Sequence, residues 1–146
     1  MATNIIDSQI LRGNFGEVWL DGTKVAEITA FSAKITKKKS TVNLCGTMVE
    51  GNVVTSVTIT GSMTMYKVDS GDNAGEAASV IGGRDKRYTL ITKVRDPGAA
   101  GGERWKYTGV SFDEVPLEDW KAAAEQTVTR AFTAANVVSL ESIPVE

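Results

Sequence analysis

The feature that most restricts the fold of this chain is a ten-residue segment with strict alternation of side-chain type. From Val57 to Tyr66, the odd positions carry Val, Ile, Gly, Met and Met, and the even positions carry Thr, Thr, Ser, Thr and Tyr. A period of two is typical of a β-strand, because successive side chains point to opposite faces of a sheet. The segment therefore predicts a strand with one apolar face and one hydroxyl-rich face.

A β-hairpin is predicted around Asp21 and Gly22. This dipeptide lies between two β-prone runs, 17–20 and 23–28, and both central residues of a type I′ turn need a positive φ. The second strand is expected to continue to Ile35. Its apolar alternation slips near Ala30, which indicates a β-bulge at that point.

The segment from Lys37 to Asn52 is too long for a tight turn and too apolar for a simple linker. Its apolar residues with no evident place in a core are Val42, Leu44, Met48 and Val49. Long connections inside compact domains are usually functional or disordered, and this apolar content argues against disorder. We therefore expect a projecting, hairpin-like loop over about 37–52 that gains its burial from a partner.

The rest of the chain predicts further strands and short helices. A short helix is expected over 74–81, after capping residues at 69–73 and before Gly82 and Gly83. Residues 117–126 form either one or two helical turns or a connection between strands. The remaining predicted strands are 88–94, 104–112 and 127–135, with an extension of the last through Val138 left open.

Together these elements predict a mainly β protein, an antiparallel β-barrel or sandwich with six or seven strands and one or two short helices. The sequence has no regular βαβ alternation, which would indicate a parallel sheet. At 146 residues the chain is expected to form a single domain over 1–146, with an N-terminal arm over about 1–14.

Composition removes whole classes of mechanism. The chain has no histidine, and Cys45 is its one cysteine. Without imidazole, Ser-His-Asp and Cys-His catalysis cannot be built, and zinc and copper sites lose their usual ligands. Carboxylate chemistry, a lysine nucleophile and an all-oxygen metal site stay open.

The acidic pairs that carboxylate chemistry would need are Asp113-Glu114 and Glu118-Asp119. Neighbouring residues on a strand point to opposite faces, so neither dipeptide forms a catalytic pair by itself. We therefore expect a protein that is not an enzyme and that has no cofactor and no metal site.

Charge and hydropathy exclude two further kinds of partner. The net charge of −2, from 16 basic and 18 acidic residues, gives no basic surplus for gripping nucleic acid. No apolar run approaches the roughly 18 residues that cross a bilayer, and the N-terminus does not have the pattern of a signal peptide. We expect no membrane contact, and a protein that stays in the cytosol where it is made or leaves by lysis.

Several conspicuous side chains favour structural roles. The run Lys37-Lys38-Lys39 is typical of a solvated strand end, with contact to DNA or to an acidic patch as the alternative. Cys45 is expected to be a small apolar contact within the loop. The three tryptophans are expected to anchor a core or an interface: Trp19, Trp105 and Trp120.

The order of these pieces resembles the tail tube proteins of contractile-tailed phages, and the tube subunits of defective prophages and phage-tail-like bacteriocins. The matching run extends from Gly16 to Gly51 and is followed by the alternating strand that closes in Met65-Tyr66-Lys67-Val68. Within it lie the Asp21-Gly22 hairpin and a segment with the pattern Ser40, Val42, Asn43 and Gly46. The likeness covers most of the chain.

The resemblance implies a β-barrel or sandwich flanked by one helix, and a structural subunit that assembles with its own copies. Such subunits form hexameric rings whose sheets join into one inner barrel, and the rings stack into a hollow tube inside a contractile sheath. The implied partners are the homo-oligomer, the sheath, baseplate and tape-measure proteins, and, in a phage, DNA that passes through the lumen. The implied location is the host cytoplasm during assembly and then the tail of a virion or bacteriocin particle.

The resemblance also implies roles for two groups of residues. The long loop corresponds to the inter-ring contact, whose candidate residues are Ser40, Val42, Asn43, Leu44, Cys45, Met48 and Val49. On the alternating strand, the candidate lumen-facing residues are Thr58, Thr60, Ser62 and Thr64. Phage and bacteriocin both stay open, as does the strand face that lines the lumen.

Two other functions are compatible with the sequence. One is a small β-barrel ligand-binding module with a hydroxyl-rich polar face, which requires aromatic side chains that converge beside Thr58, Thr60 and Thr64. The other is a carboxylate-dependent hydrolase, which needs two acidic side chains about 5–9.5 Å apart in a cleft.

Overall fold

The computed structural model describes residues 7–25, 27–68, 73–99 and 101–143 of the chain. These residues form eight strands and one α-helix. The strands are β1 Gly16–Leu20, β2 Thr23–Val25, β3 Ile28–Val42, β4 Gly51–Tyr66, β5 Tyr88–Arg95, β6 Gly102–Phe112, β7 Thr127–Ala134 and β8 Asn136–Glu141, and the helix is α1 Asn73–Ile81. Two 3-10 turns, Asp7–Gln9 and Gly13–Phe15, precede β1.

All strand pairs are antiparallel, and β6 takes part in two layers. In sheet A the order is β2-β1-β5-β6, and β8 pairs with the other side of β6. In sheet B the order is β6-β7-β4-β3, which β6 joins only through Ser111 and Phe112. The mainly β, antiparallel prediction is confirmed, in the form of an open sandwich, because the sheet does not close.

Two local predictions from the sequence are confirmed. Asp21 and Gly22 connect β1 to β2 with φ values of 49° and 84°, as the predicted turn requires. The pairing of β3 with β4 shifts register between Ile28 and Ala30, where the slip in alternation indicated a bulge. A second shift lies between Lys38 and Lys39.

Two β-prone stretches of the sequence are each divided between the sheets. β2 ends at Val25 beside β1 in sheet A, whereas β3 begins at Ile28 beside β4 in sheet B. Likewise β7 pairs with β4, and after Ala135 the chain continues as β8 beside β6. The expectation of one continuous strand over 23–35 was wrong, because β-prone sequence does not mark where a chain crosses from one layer to the other. The extension beyond Ala135, which the sequence left open, forms the separate strand β8, and the described strands number eight.

Helix α1 begins one residue before the predicted 74–81 and ends at Ile81, shortly before Gly83, which has a φ of 82°. The predicted capping residues 69–72 lie outside the described residues, as does 1–6 of the expected arm. Residues 117–126 contain turns but no helix, so they form the connection that was the alternative. In the part of the chain that the structure describes, no helix is long and apolar enough to span a bilayer.

The core lies between the two sheets. Its buried apolar residues are Val18, Met63, Tyr88, Leu90, Tyr107, Val110, Phe112 and Phe132. The apolar face of the alternating strand contributes to it through Met63, with Ile59 and Met65 packed at its margin. The apolar face of β4 therefore packs on the core, and the hydroxyl face of β4 is turned away from it.

A buried ion pair fastens α1 to sheet B. One guanidinium nitrogen of Arg130, on β7, donates to both carboxylate oxygens of Glu76 on α1, at 2.8 and 2.9 Å. The same nitrogen lies 3.4 Å from the carbonyl oxygen of Glu114, and the guanidinium lies 3.9 Å above the ring of Phe112. The helix is therefore held in place by a buried charge pair.

Candidate assembly surfaces

The hairpin of β3 and β4 extends far beyond the core. β7 pairs with β4 only from Ile59 to Tyr66, whereas β3 and β4 stay paired from the core out to Val42 and Gly51. Residues 36–42 and 51–58 therefore form a two-stranded ribbon without a third strand among the described residues. Seven residues of strand correspond to roughly 23 Å of projection, and an isolated two-stranded hairpin is only marginally stable in water.

The tip of this ribbon, residues 43–50, is apolar and open to solvent. Met48 is 100% exposed, Val49 77% and Leu44 61%, and Cys45 is also exposed. Gly46 turns the chain with a φ of 87°, and the Val49 amide donates to the Thr47 hydroxyl at 3.1 Å. Large apolar side chains at the end of a narrow ribbon have no surface of their own domain to pack against.

The seven residues expected at the inter-ring contact lie together on this ribbon. Ser40 and Val42 are the last residues of β3 on one face, paired with Val53 and Gly51 of β4. The other five are in the tip: Asn43, Leu44, Cys45, Met48 and Val49. The strands thus extend further into the range 37–52 than the sequence indicated, and only its centre is a loop.

The four candidate lumen-facing residues lie on the outer face of sheet B, opposite Met63. Thr58, Thr60, Ser62 and Thr64 are aligned along β4, and their neighbours across β3 and β7 are similar. The same face carries Ser32, Lys34, Thr36, Lys38, Thr129, Ala131 and Thr133. Hydroxyls meet across the strands, with 3.4 Å between the Ser32 and Ser62 oxygens and 3.3 Å between the Thr64 and Thr129 oxygens.

Sheet B has two open edges. Within the described residues, the outer edge of β3 has no strand partner along its 15 residues. At the opposite edge β7 meets β6 only at Phe132 and Thr133, which leaves Thr127–Arg130 without a strand on that side in the same described part of the chain. Unpaired strand edges are templates for pairing with another chain.

A groove opens along the β3 edge, between sheet B and sheet A. It has a volume of about 590 Å³ and is lined on the β3 side by residues 28–33 and on the sheet A side by Glu17, Glu103, Trp105 and Tyr107. The Trp105 ring nitrogen donates to the Glu103 carboxylate at 2.6 Å. Burial and the nearby Glu103 raise the pKa of the Tyr107 hydroxyl. The groove is therefore mainly apolar, with carboxylates at its rim.

The N-terminal segment is fastened to the β5–β6 turn by one buried carboxylate. The Arg12 guanidinium donates to both Asp96 oxygens, at 2.6 and 2.8 Å, and the Gly98 amide donates to the same group at 2.9 Å. The side-chain hydrogen bonds from Arg12, followed by the Gly98 amide, hold the pKa of Asp96 well below its ordinary value. The same contact raises the pKa of Arg12.

Sequence reasoning missed both the Arg12–Asp96 pair and the Glu76–Arg130 pair. Their partners are 84 and 54 residues apart in the chain. No local pattern marks an acid and a base at such separations as partners, so only the tertiary structure reveals them.

The acidic dipeptides and the tryptophans are placed unequally. Asp113, Glu114, Glu118 and Asp119 are all exposed, and no described group of three or more acidic or cysteine side chains is arranged to hold a metal ion. Trp105 packs against the core and Trp19 is half-buried, but Trp120 is 76% exposed. Trp120 is therefore not a core anchor, and the expectation that it anchors an interface stays a prediction.

Known proteins with a similar sequence or fold point in one direction. The family model described as "Phage tail tube protein" matches residues 3–141. The Bacillus subtilis phage-like element PBSX protein XkdM is 33% identical over 108 residues, which are 73% of this chain and 74% of that protein.

Solved structures share the fold at low identity. A chain in the cap that terminates the tube of the anti-feeding prophage superposes with a TM-score of 0.71 at 10% identity, covering 97% of this chain and 100% of that one. A chain in the extended sheath–tube complex of an extracellular contractile injection system gives 0.69 at 9% identity, covering 95% and 100%. The family match extends over nearly the whole sequence, and the chain belongs to the phage tail tube protein family.

Proposed function

We propose that the protein is the structural subunit of a tail tube, in which six copies form a ring and rings stack into a hollow conduit inside a contractile sheath. The role is assembly and not catalysis. Six is the number of copies that the resemblance to tail tube proteins implies. The observation that carries the proposal is the pair of open edges on sheet B.

The two edges suit each other across a ring. β3 and β7 are both antiparallel to β4, so they run in the same direction, and Ile28 and Val128 share one lateral row through Met65. A neighbour related by rotation about the ring axis keeps its strand direction, which brings its β7 edge beside β3 in a parallel pairing. The free stretch Thr127–Arg130 then covers part of the neighbour's β3 edge, and sheet B of every copy becomes part of one closed barrel.

Closing this barrel turns one face of sheet B inward. The core lies on one side of sheet B, so the hydroxyl face is the side that remains for the lumen. Ser and Thr side chains keep a water-filled channel wetted, and Lys34 and Lys38 on the same face add positive charge to it. Thr58, Thr60, Ser62 and Thr64 are the residues that we assign to this lining.

Stacking is assigned to the ribbon of β3 and β4. An apolar tip at the end of a projection of roughly 23 Å reaches beyond its own domain, and contact with the next ring would bury Leu44, Met48 and Val49. We assign Ser40, Val42, Asn43 and Cys45 to the same contact.

The remaining partners follow from the tail particle. The similar structures include a sheath–tube complex and a baseplate, and we propose that this subunit likewise meets sheath and baseplate proteins, with a tape-measure protein or DNA in the lumen. Assembly would occur in the host cytoplasm, and the mature location would be the tail of the particle.

Light scattering and negative-stain microscopy of the concentrated protein test this function. We expect rings or tubes of uniform diameter, alone or after addition of a baseplate fraction that starts polymerisation. A chain that stays monomeric under both conditions would contradict the proposal.

The alternative of a ligand-binding module is not favoured by the position of the aromatic residues. The ring cluster that includes Phe31, Tyr107 and Phe132 lies on the core face of sheet B, with ring centres 5.8–6.1 Å apart. The rings therefore pack on the side opposite Thr58, Thr60 and Thr64, where a sugar-binding face would need them.

A further inference from the structure

The connection between β6 and β7, residues 113–126, displays large apolar side chains that its own domain does not cover. Trp120 is 76% exposed and Leu117 63%. This connector is tied to the domain at its start, where the Asn73 side chain donates to the Pro116 carbonyl at 3.1 Å and the Lys67 amine to the Leu117 carbonyl at 3.2 Å. The backbone of the connector is thus held against the domain, while the side chains of Trp120 and Leu117 are open to solvent.

The connector lies in the same layer as the groove at the β3 edge. Glu114 accepts a hydrogen bond from Arg130, whose side chain is on the core face of sheet B beside Glu76 of α1. The connector therefore flanks β7 on the side of the second layer, not on the hydroxyl face. The groove also opens between the layers, at the opposite edge of the same sheet.

The two features also share the same level along the strands. The Asp113 amide donates to the Ala131 carbonyl, and the connector ends at Thr127, so it spans the rows of β7 from 127 to 131. Through β4, rows 128–131 correspond to residues 28–32 of β3, which are most of the β3 stretch that lines the groove. A ring that joins β7 of one copy to β3 of the next therefore brings the connector to the mouth of the groove.

Charge suits the docking only at Lys121, because the groove is lined by Glu17 and Glu103 and, among the described residues, by no lysine, and the lysines of β3 lie beyond the groove at 34–39. β3 contains Lys34, Lys37, Lys38 and Lys39 and no acidic residue. The connector contains five acidic residues, Asp113, Glu114, Glu118, Asp119 and Glu125, and a single lysine, Lys121. Lys121 follows Trp120 directly, and the rim of the groove carries Glu17 and Glu103.

We infer that residues 113–126 of one copy dock into the β3-edge groove of the next copy in the ring, with Trp120 and Leu117 as apolar anchors between Phe31 and the Trp105–Tyr107 side. A groove of about 590 Å³ has room for both side chains. The inference rests on the proposed function, since only a ring places the two surfaces together. Buried tryptophans at the centre of an interface commonly dominate its binding energy.

Substitution of the anchor tests the inference. Trp120→Ala is expected to raise the protein concentration needed for half-maximal ring formation about tenfold or more, with an unchanged circular dichroism spectrum and melting temperature because Trp120 is exposed. The matched control is Ile81→Ala, which removes another exposed apolar side chain, at the end of α1, and should leave ring formation unchanged. Equal ring formation by wild type and Trp120→Ala would overturn the docking inference alone.

A disulfide between copies tests the geometry directly. In a Cys45→Ser background, a Glu17→Cys chain and a size-tagged Lys121→Cys chain, which keeps Trp120, are purified separately, mixed and oxidised under ring-forming conditions. We expect a heterodimer band on a non-reducing gel, and none when Val138→Cys replaces Glu17→Cys. Rings without that heterodimer would refute the docking and leave the tube proposal standing, whereas a wild-type chain that never forms rings would refute both.

Discussion

Gly61 shows how little room separates sheet B from its core. A Cβ at this position would lie 2.5 Å from the Ser32 carbonyl oxygen and 2.6 Å from the Phe132 ring. The ring of Phe132 therefore packs directly on the backbone of β4. In the alternating pattern, glycine at position 61 is the one apolar-face residue that makes this contact possible.

Gly61→Ala is therefore expected to lower the free energy of unfolding by about 1–3 kcal/mol, the usual cost of overpacking. The control is Gly51→Ala on the same strand, where the nearest atom is 3.6 Å from the new Cβ. Urea unfolding of both variants measures the difference. Equal stability of the two would show that Phe132 moves aside without cost.

Glu76 and Arg130 form a buried ion pair in which each charge depends on the other. Their side chains are 7% and 10% exposed, so removal of one leaves a buried charge without its partner. Glu76→Gln is expected to cost about 3–5 kcal/mol in unfolding free energy. The double variant Glu76→Leu with Arg130→Met replaces both charges by apolar groups and should cost much less, because no buried charge remains.

Thermal unfolding of the wild type, the single variant and the double variant separates these contributions. A single variant as stable as the wild type would show that water reaches Arg130. A double variant less stable than the single one would show that the ion pair itself, and not relief of an unpaired charge, holds α1 in place.

Asp96 makes a pH-dependent contribution whose sign follows from its lowered pKa. The stability it adds is fully present above the pKa of an unfolded aspartate, about 3.9, and is lost as pH falls through the lower pKa of the folded state. Asp96→Asn should therefore melt below the wild type at pH 7, and the gap should narrow below about pH 4. A gap of constant size from pH 7 to pH 2 would mean that the carboxylate charge is not what fastens Arg12.

At the scale of elements, periodic patterns were sufficient for much of the fold. The alternation in β4, the Asp-Gly turn and the slip near Ala30 each have a local physical cause, and the structure contains all three. The crossings between layers after Val25 and at Ala135 were not predictable in the same way. They depend on which distant strand is available for pairing, and a single sequence does not display that.

The ribbon of β3 and β4 is the element whose role is most easily isolated. Replacement of residues 41–52 by Asn-Gly would join Ser40 to Val53, which already face each other, through a two-residue turn. The shortened chain should keep its fold, since the tip buries nothing in its own domain, and should form rings that no longer stack. Circular dichroism and negative-stain images measure the two results, and loss of folding would show that the ribbon belongs to the core.

At the scale of the whole molecule, the candidate surfaces share a single explanation. Among the described residues, sheet B has an unpaired strand edge on each side, a hydroxyl face away from the core and an apolar ribbon at one end. In the proposed assembly, copies in a ring and rings in a stack would use all of these surfaces at once. The sequence indicated the ribbon and the hydroxyl face, whereas the edges and the groove emerge only when the strands are placed in order.

Residue-resolved hydrogen exchange at the edges of sheet B tests the central claim most directly. In β3, alternate amides bond to β4, and the others point to the open edge. In the dilute chain, the edge-directed amides of residues 28–35 and of residues 127–130 should exchange quickly. In assembled particles, both sets should become protected together, whereas unchanged exchange at both edges in assembled particles would contradict the account.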